Sequence, residues 1–299
     1  MFKKLLFIFL FFNVFSVSAQ EGEETEEQQE GWTTEGNVQL LFNQSAFNEE
    51  WAGGGTSSLA GNLTFNYGFN YLMDDITWDN KIWATYGLTK IKTDEFIRKT
   101  SDRFEINSIV GKQIKETKWF YSFFAHFQSQ FDSGYVFSEN PETGEITRTE
   151  NSHFFSPAFL KSGPGIGWHK SDDLHFNIAP ATLRFIFVDG DFTSAPGYVD
   201  GDYYGVDKGE TMRFEFGASL TGYAKVELVE NVSVANSLSL YSNYLDSPGN
   251  IDMDYLMELN MAINDFLTAS LIFQAIYDDN TVGAFQLREV FGAGITYTF

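Results

Sequence analysis

The sequence predicts an all-β protein, a single antiparallel β-barrel that spans a membrane with twelve strands. Three observations support this prediction: a short apolar leader, long stretches of alternating apolar and polar residues, and connections that alternate between short and long. Soluble strands usually run about 5–6 residues, whereas a tilted membrane strand needs about 9–11. Because the alternating stretches are longer than either, their length favours a membrane barrel over a soluble β-sandwich.

The N-terminus has the parts of a secretory signal peptide. Lys3 and Lys4 precede an apolar run over 5–15, and Ala19 stands just before a predicted cleavage site. A membrane-spanning helix needs about 20 apolar residues, so this run is too short to be an anchor. We therefore predict a signal peptide over 1–19. The chain has no cysteine, which excludes a lipid-modified N-terminus, disulfides and thiolate metal sites.

The segment after the leader, 20–35, has the composition of a disordered linker. It reads QEGEETEEQQEGWTTE, with Trp32 as its one large apolar side chain. Such a segment buries too little apolar surface to offset the entropy lost on ordering. We predict a solvated periplasmic linker here. A docking peptide for a periplasmic or outer-membrane protein is the alternative.

The charge balance argues against a nucleic-acid partner, and the distribution of apolar residues argues against membrane-spanning helices. The formal net charge is −22, whereas a phosphate-binding face needs an excess of Lys and Arg, so we predict no nucleic-acid partner. No apolar run beyond the leader approaches the length of a membrane helix, so any membrane span must be β. The predicted partner of the outer wall is outer-membrane lipid.

Alternation over 36–299 defines the predicted barrel. The predicted strands are 36–47, 57–72, 77–91, 102–114, 119–133, 154–168, 174–188, 210–228, 232–245, 251–263, 267–277 and 285–299. Predicted tight turns lie at 73–76, 115–118, 169–173, 229–231 and 264–266, and the other connections are longer. Short periplasmic turns, longer extracellular loops and an even strand count are typical of outer-membrane barrels. This pattern places both termini in the periplasm.

Aromatic residues lie where a membrane interface would need them. Trp78, Trp119 and Trp168 each lie beside a tight turn, as an aromatic girdle requires. The last strand ends with Tyr297 and Phe299 on its apolar face. Such an ending resembles the signal that barrel-assembly machinery recognises, so we predict that machinery as a partner during insertion.

Four segments carry a resemblance to a known family. They are WAGGGTSSLAGNLTFNYGFNY at 51–71, WDN at 78–80 followed by Tyr86-Gly87, NIDMDYLMELNMAIN at 250–264 and LREVFGAGITYTF at 287–299. Together they resemble a barrel family of the Bacteroidetes that is catalogued only as a domain of unknown function. The resemblance covers about 32–299 and implies an outer-membrane barrel. It implies no catalytic or ligand-binding residue.

The parity of each strand predicts which side chains line the lumen. They are Asp79, Lys81, Trp83, Arg103, Glu105, Phe124, His126, Gln128, Arg213, Glu215, Tyr223, Lys225, Glu227, Tyr241, Asp252, Asp254, Glu258, Gln274 and Arg288. Both signs of charge are interleaved with bulky aromatic residues, so we expect a narrow or partly plugged lumen. One hypothesis is a narrow channel for small solutes, either cationic or apolar. The other is a non-conducting structural or partner-binding barrel whose lumen charges only pair with one another.

The four histidines give no basis for an enzyme. A lipase would need a lipid-facing Ser near a His, and a protease at the rim would need a His beside carboxylates. His126 and His175 are predicted to face inward, and His169 lies in a predicted turn. His153 is the one loop histidine, so we predict no enzymatic activity.

The acidic loop 189–209 is the one candidate for a metal site. It contains Asp189, Asp191, Asp200, Asp202 and Asp207. Clustered carboxylate oxygens suit calcium, although Ser194 stands where an EF-hand has its glycine. A solvated acidic loop without metal is the alternative, and no other cofactor is predicted.

A change of parity predicts a local fault in the wall. In the strand 174–188 the apolar positions are even up to Ile178 and odd from Leu183 onward. One inserted residue, a β-bulge near Pro180, would produce this change, and Pro164 lies on the neighbouring strand. The bulge either lets the wall curve or forms a lateral seam, at Pro164 and Pro180, through which an apolar solute leaves the lumen.

Overall fold

The computed structural model describes residues 30–48 and 55–299. The predicted signal peptide and most of the predicted linker lie outside the described residues. Among the described residues, no helix is long and apolar enough to cross a membrane.

The described chain folds into fourteen strands and one short helix. The strands are β1 (Gly31–Ser45), β2 (Ser58–Met73), β3 (Ile76–Ile91), β4 (Ile97–Gln113), β5 (Trp119–Ser129), β6 (Gly134–Glu139), β7 (Ile146–Ser152), β8 (Ala158–Ser171), β9 (Leu174–Phe187), β10 (Met212–Val229), β11 (Val232–Asn243), β12 (Asp252–Ala262), β13 (Leu267–Tyr277) and β14 (Gln286–Thr298). The helix α1 is Gly190–Thr193. Twelve strands form a closed antiparallel barrel, and β6 and β7 form a separate two-stranded sheet.

The barrel closes where its first strand pairs with its last. The ladder between β1 and β14 runs from Asn37 opposite Thr298 to Phe42 opposite Ala293. Beyond it, Gly36 and Phe299 exchange two backbone hydrogen bonds of 2.9 Å. The Phe299 ring stacks on Tyr67 with 6.2 Å between the ring centroids. Closure leaves no unpaired edge strand, and the predicted twelve-stranded antiparallel barrel is confirmed.

The two ends of the barrel differ in the length of their connections. Consecutive barrel strands are joined at one end by 74–75, 114–118, 172–173, 230–231 and 263–266, which we call the short-turn end. At the other end they are joined by 46–57, 92–96, 130–157, 188–211, 244–251 and 278–285, which we call the long-loop end. Both chain termini of the barrel lie at the short-turn end, because β1 begins and β14 finishes there.

The predicted boundary between the linker and the barrel is wrong. The first strand begins at Gly31, so 31–35 belongs to the barrel and not to the linker. Trp32 pairs with Tyr71 of β2 and packs 5.7 Å from Trp78, measured between ring centroids. These aromatic contacts extend the strand into a segment whose glutamates indicated disorder.

The loop predicted at 134–153 contains the hairpin of β6 and β7. The Arg98 guanidinium lies 3.6 Å from the centroid of the Phe137 ring, and that of Arg148 lies 5.4 Å from the centroid of Phe96, just before β4. These cation–π contacts attach the hairpin to the start of β4. The predicted strands 119–133 and 154–168 are accordingly shorter at the loop side, because β5 ends at Ser129 and β8 begins at Ala158.

The predicted β-bulge is present between β8 and β9. Ser162 pairs with Leu183 and Ile166 pairs with Ile178, so residues 163–165 face residues 179–182 across an interrupted ladder. The pairing of β9 with β10 also shifts register there. Leu183 is 39% exposed on the outer face, as the change of parity predicts.

Glycines let neighbouring backbones approach where the wall bends. A Cβ on Gly217 of β10 would overlap the carbonyl oxygen of Ser242, whereas the nearest atom to a Cβ on Gly222 would be 3.8 Å away. A side chain at position 217 must therefore push β11 outward, while one at position 222 meets ordinary packing.

We predict that Gly217→Ala lowers the thermal unfolding midpoint of the detergent-solubilised barrel. The overpacked methyl group should reduce the free energy of unfolding by about 1–3 kcal/mol. Gly222→Ala, on the same strand, is the matched control and should be neutral or slightly stabilising, because alanine restricts the unfolded chain more than glycine does. The shift of gel mobility on heating measures both variants. Equal midpoints for the two would contradict a tight bend at Gly217.

Candidate functional site: the lumen

Contacts between non-neighbouring strands identify the inner face. Arg103 on β4 reaches Asp254 on β12 with 2.6 Å between nitrogen and oxygen. The Lys81 ammonium on β3 lies 5.4 Å from the ring centroid of Tyr223 on β10. Because these strands are not adjacent in the wall, the contacts must cross the lumen.

The register places the predicted lumen residues on that same inner face. They are Asp79, Lys81, Trp83, Arg103, Glu105, Phe124, His126, Gln128, Arg213, Glu215, Tyr223, Lys225, Glu227, Tyr241, Asp252, Asp254, Glu258, Gln274 and Arg288. Two charged residues that sequence reasoning missed, Lys161 and Arg184, lie opposite each other on β8 and β9 and share this face. The parity change at the bulge could have predicted that Arg184 faces inward, since its neighbours Leu183 and Phe185 face outward.

The middle of the lumen is crossed by a strut from β4 to β12. Arg103 binds Asp254 on the opposite wall and also pairs with Glu105 on its own strand. Glu105 in turn lies 3.3 Å from Nε2 of His126. The Arg103 side chain is 18% exposed, so the strut is largely removed from water. One guanidinium therefore ties together two walls of the barrel.

Towards the long-loop end, Arg184 gathers three carboxylates. Its guanidinium lies 2.5 Å from Asp252, 3.1 Å from Asp278 and 3.4 Å from Glu215. Glu215 also pairs with Arg213 at 2.8 Å. The Arg184 side chain is only 8% exposed. A buried charge requires such partners, because an isolated one pays a large desolvation penalty. We call the Arg103 and Arg184 groups together the ion cluster.

Residues 188–211 fold back over the lumen and form what we call the lid loop. Val188 N donates to Thr211 O at 2.9 Å and closes the neck of the loop. Val206 is fully buried and packs with Ile186, an inward-facing residue of β9. Tyr204 contacts Phe159 of β8 edge to face, with 5.7 Å between centroids. The lid loop thus covers part of the long-loop end.

Hydrogen bonds hold the lid loop against the 130–157 loop. The Tyr203 hydroxyl donates to Asn151 O at 2.7 Å, and Asp189 N donates to Ser156 Oγ at 2.8 Å. Burial raises the pKa of Tyr203 and of Tyr204 above their usual range, so both hydroxyls keep their protons. The Tyr203 hydroxyl therefore anchors the lid as a donor that keeps its proton near neutral pH.

The five aspartates of the predicted calcium loop, Asp189, Asp191, Asp200, Asp202 and Asp207, do not converge, and three of them cap backbone amides. Asp189 accepts from Asp191 N, Asp200 accepts from Lys208 N, and Asp202 accepts from Val199 N. Among the residues that the structure describes, the one group of three or more His, Asp or Glu side chains whose ligand atoms lie within 4.8 Å of one another is Asp252, Asp278 and Asp279. Arg184 already pairs with two of these, so that group has a resident cation.

The loop histidine has a carboxylate beside it, yet neither ring nitrogen is free. His153 Nε2 lies 3.3 Å from Asp189, and His153 Nδ1 lies 2.9 Å from the Phe154 carbonyl. A general base needs an unoccupied nitrogen that faces substrate or water. This arrangement supplies none at His153.

The predicted seam at Pro164 and Pro180 is bridged on both faces of the wall. Inside, Ser122 Oγ of β5 donates to Asn177 Oδ1 of β9 at 2.5 Å, above the bare inner face of β8. Outside, the Tyr244 hydroxyl donates to Pro180 O at 3.2 Å. These bonds favour a wall that curves while staying closed, and lateral passage of a solute stays a prediction.

At the short-turn end, four rings form a column along the inner wall. Phe120, His169, His175 and Tyr223 come from β5, β8, β9 and β10 in that order. Their centroids are separated by 6.4, 5.5 and 5.3 Å in turn. Lys81 closes the column from the opposite wall by lying over Tyr223. Rings at directly paired strand positions stabilise a sheet through such contacts.

We predict that Arg184→Met strongly destabilises the barrel, because it leaves Asp252, Asp278 and Glu215 without their shared cation. Removing one partner of a buried ion group costs about 3–5 kcal/mol. Lys112→Met is the control, since its pair with Asp75 is exposed and should contribute about 0–1 kcal/mol. Thermal unfolding in detergent measures both. The Arg184→Met deficit should shrink as the pH is lowered, since protonation removes the uncompensated charge; a deficit independent of pH would contradict the ionic role.

Comparisons with known proteins give a family for part of the chain and a set of distant barrels. Its alignment with the COG4313 outer membrane channel from Pseudomonas putida F1 covers 93% of this chain and 98% of that one, at 11% identity and a TM-score of 0.39. It aligns with the translocator domain of the autotransporter NalP from Neisseria meningitidis over 96% of this chain and 92% of that one, at 9% identity and a TM-score of 0.36. No curated protein matches the sequence.

The family match lies in the first part of the barrel. Residues 42–135 match the model of a family described as "Protein of unknown function (DUF3078)". The matched residues run from the end of β1, through β5, to the start of β6. The chain is therefore similar, over these strands, to a family whose function is not known, as its sequence motifs indicated.

Proposed function

We propose that this protein is an outer-membrane β-barrel whose lumen is closed at rest, so that it is not a permanently open pore. The observation that carries the proposal is the ion cluster, in which Arg103 connects opposite walls and Arg184 binds three carboxylates near the long-loop end. The lid loop adds a second layer above it. A closed barrel of this kind acts as a structural or partner-binding element, or opens only on a signal.

The outer surface supports the membrane location. Four tryptophans, Trp32, Trp78, Trp119 and Trp168, lie on the outer wall beside the short-turn end. Towards the long-loop end, phenylalanine rings form a chain with 5.2–6.3 Å between successive centroids; they are Phe104, Phe127, Phe155, Phe187, Phe185 and Phe214. Two aromatic bands with an apolar wall between them are typical of outer-membrane barrels. By the same pattern the short-turn end, with both termini, faces the periplasm.

A narrow gated channel for small solutes is the second candidate, and one observation favours it. The lumen is ionic, whereas a purely structural barrel could be filled with apolar side chains. Lys161, in the middle of the wall between His126 and Arg184, has no carboxylate within ion-pair distance among the described residues, and its ammonium lies 3.4 Å from Ser239. Such a group retains water, and a hydrated lumen can conduct once a strut moves.

We predict that the protein fractionates with outer membranes and resists extraction by high salt or by carbonate. The physical reason is the apolar outer wall, which would be exposed to water in any soluble form. Density-gradient separation of the membranes, followed by immunoblotting, measures this. Recovery of the folded protein in the soluble periplasmic fraction would contradict the location.

We predict that the wild-type barrel in a planar bilayer is silent or shows only rare, small conductance steps. Arg103→Ala and Asp254→Ala each remove one half of the strut, so both should increase the frequency or size of the steps. Lys112→Ala removes an exposed pair with Asp75 beside a short turn, outside the set of lumen residues, and should behave as wild type. Steady open-pore conductance of the wild type, equal in all variants, would contradict a lumen that is closed at rest.

A further inference from the structure

We propose that the short-turn end of the lumen binds a divalent transition-metal ion, such as Zn²⁺ or Cu²⁺, through His169 and His175 with carboxylate ligands from Asp172 and Asp79. The proposal does not depend on whether the barrel conducts. It rests on the placement of these four side chains at one end of the lumen.

The hairpin of β8 and β9 brings the two imidazoles together. In the sequence HKSDDLH, His169 and His175 flank a turn at 172–173 and pair directly across the two strands. Directly opposed side chains have their Cβ atoms about 4.5–5.5 Å apart, which allows both to reach one ion. The rings stack with 5.5 Å between centroids and an angle of 15° between their planes.

Both imidazoles have a ring nitrogen in need of a partner. Nδ1 of His175 is buried and has no hydrogen-bond partner among the described residues, and Nε2 of His169, also buried, has only the 3.3 Å contact with Asp172. A buried polar atom without a partner costs about 1–3 kcal/mol, and such atoms in native proteins often indicate an absent ion or water. A metal ion would satisfy both nitrogens, since neutral imidazole is a good ligand for Zn²⁺ and Cu²⁺.

Carboxylates complete the set. Asp172 Oδ1, in the turn, lies 3.3 Å from His169 Nε2. Asp79 on β3 faces His169 and Asp172 across the lumen, and no hydrogen bond or ion pair engages it within the described ranges. Two imidazoles and two carboxylates form a common ligand set for these metals.

The surrounding charges define the limits of the site. Lys81 lies on the far side of the column, over Tyr223, and interacts electrostatically with His175. It disfavours a cation at that flank, so the ion belongs on the side of Asp172, which is 81% exposed at the short-turn end. The ligand atoms of these four side chains do not lie within a common 4.8 Å. The side chains must therefore rotate about their torsions before their atoms can lie about 2.0–2.1 Å from one ion. The strands can stay in place.

Metal titration of the untagged, detergent-solubilised barrel tests the proposal. After treatment with a chelator, one Cu²⁺ per chain should bind and give an electron paramagnetic resonance spectrum with nitrogen couplings, and calorimetry with Zn²⁺ should show the same stoichiometry. His175→Phe keeps a ring in the column but removes both nitrogens, so it should fold and lower the affinity about tenfold or more. His169→Phe should do the same.

His153→Phe is the matched control, because His153 also lies 3.3 Å from an aspartate but in a loop at the other end of the barrel. Its affinity should equal that of the wild type. Asp79→Asn removes the carboxylate in the lumen and keeps Asp172 in the turn. It should weaken metal binding while the nitrogen couplings remain. Absence of stoichiometric binding, or equal affinity in His175→Phe and the wild type, would overturn the proposal and assign the histidines to packing alone.

Discussion

The rest of the structure depends on the closure of the backbone hydrogen-bond ladder between β1 and β14. In a lipid-facing wall, each unpaired amide or carbonyl costs several kcal/mol, so a sheet in a membrane must close on itself. Pairing from Asn37 to Phe42 with β14, extended by the two bonds between Gly36 and Phe299, meets this requirement. Once the ring is closed, every strand has one face towards lipid and one towards the lumen, and alternation of residue type follows.

The same constraint explains how the wall tolerates its one large fault. At the bulge, Pro180 and Ala181 leave the ladders with both neighbouring strands, and Ala179 leaves the ladder with β8, so their carbonyls need other partners. The Thr182 hydroxyl donates to Ala179 O at 2.9 Å, and Tyr244 donates to Pro180 O. A Cβ on Gly163 would overlap Ala181 O, so the bare glycine makes room for that carbonyl. The hydroxyls of Thr182 and Tyr244 thus replace part of the interrupted backbone pairing, and the absence of a side chain at Gly163 leaves room for the displaced carbonyl.

Sequence alternation predicted the twelve strands and the inner face because both follow from the ladder alone. It also located the bulge, since a one-residue insertion reverses the parity between Ile178 and Leu183. It could not predict that Trp32 would extend β1, because that strand is stabilised by rings from β2 and β3 rather than by its own composition. The hairpin of β6 and β7 was missed for a similar reason, as its attachment depends on Arg98 from another strand.

The alternation of residues also could not predict which charged side chains pair with one another inside the lumen. Alternation states that Arg103 and Asp254 both face inward, but their meeting across the barrel depends on strand tilt and on the diameter of the ring. Arg184 illustrates the same limit, since its partners come from β10, β12 and the loop after β13. Residues that meet only through the closed curvature of the wall leave no local signal in the sequence.

An ionic closure has consequences that an apolar plug would not have. Inside the barrel the local dielectric is low, so paired charges attract strongly, while the cost of separating them without water is high. When water or a charged ligand takes the place of one charged side chain, the free-energy cost of separating the pair falls. The strut between Arg103 and Asp254 can then break while the wall stays folded. The Arg103 side chain keeps 18% of its surface accessible, and Asp254 keeps 23%, so water can reach both. The proposed closure would therefore be rigid in the paired state and sensitive to any charged molecule that enters the lumen, which a core of packed apolar side chains would exclude.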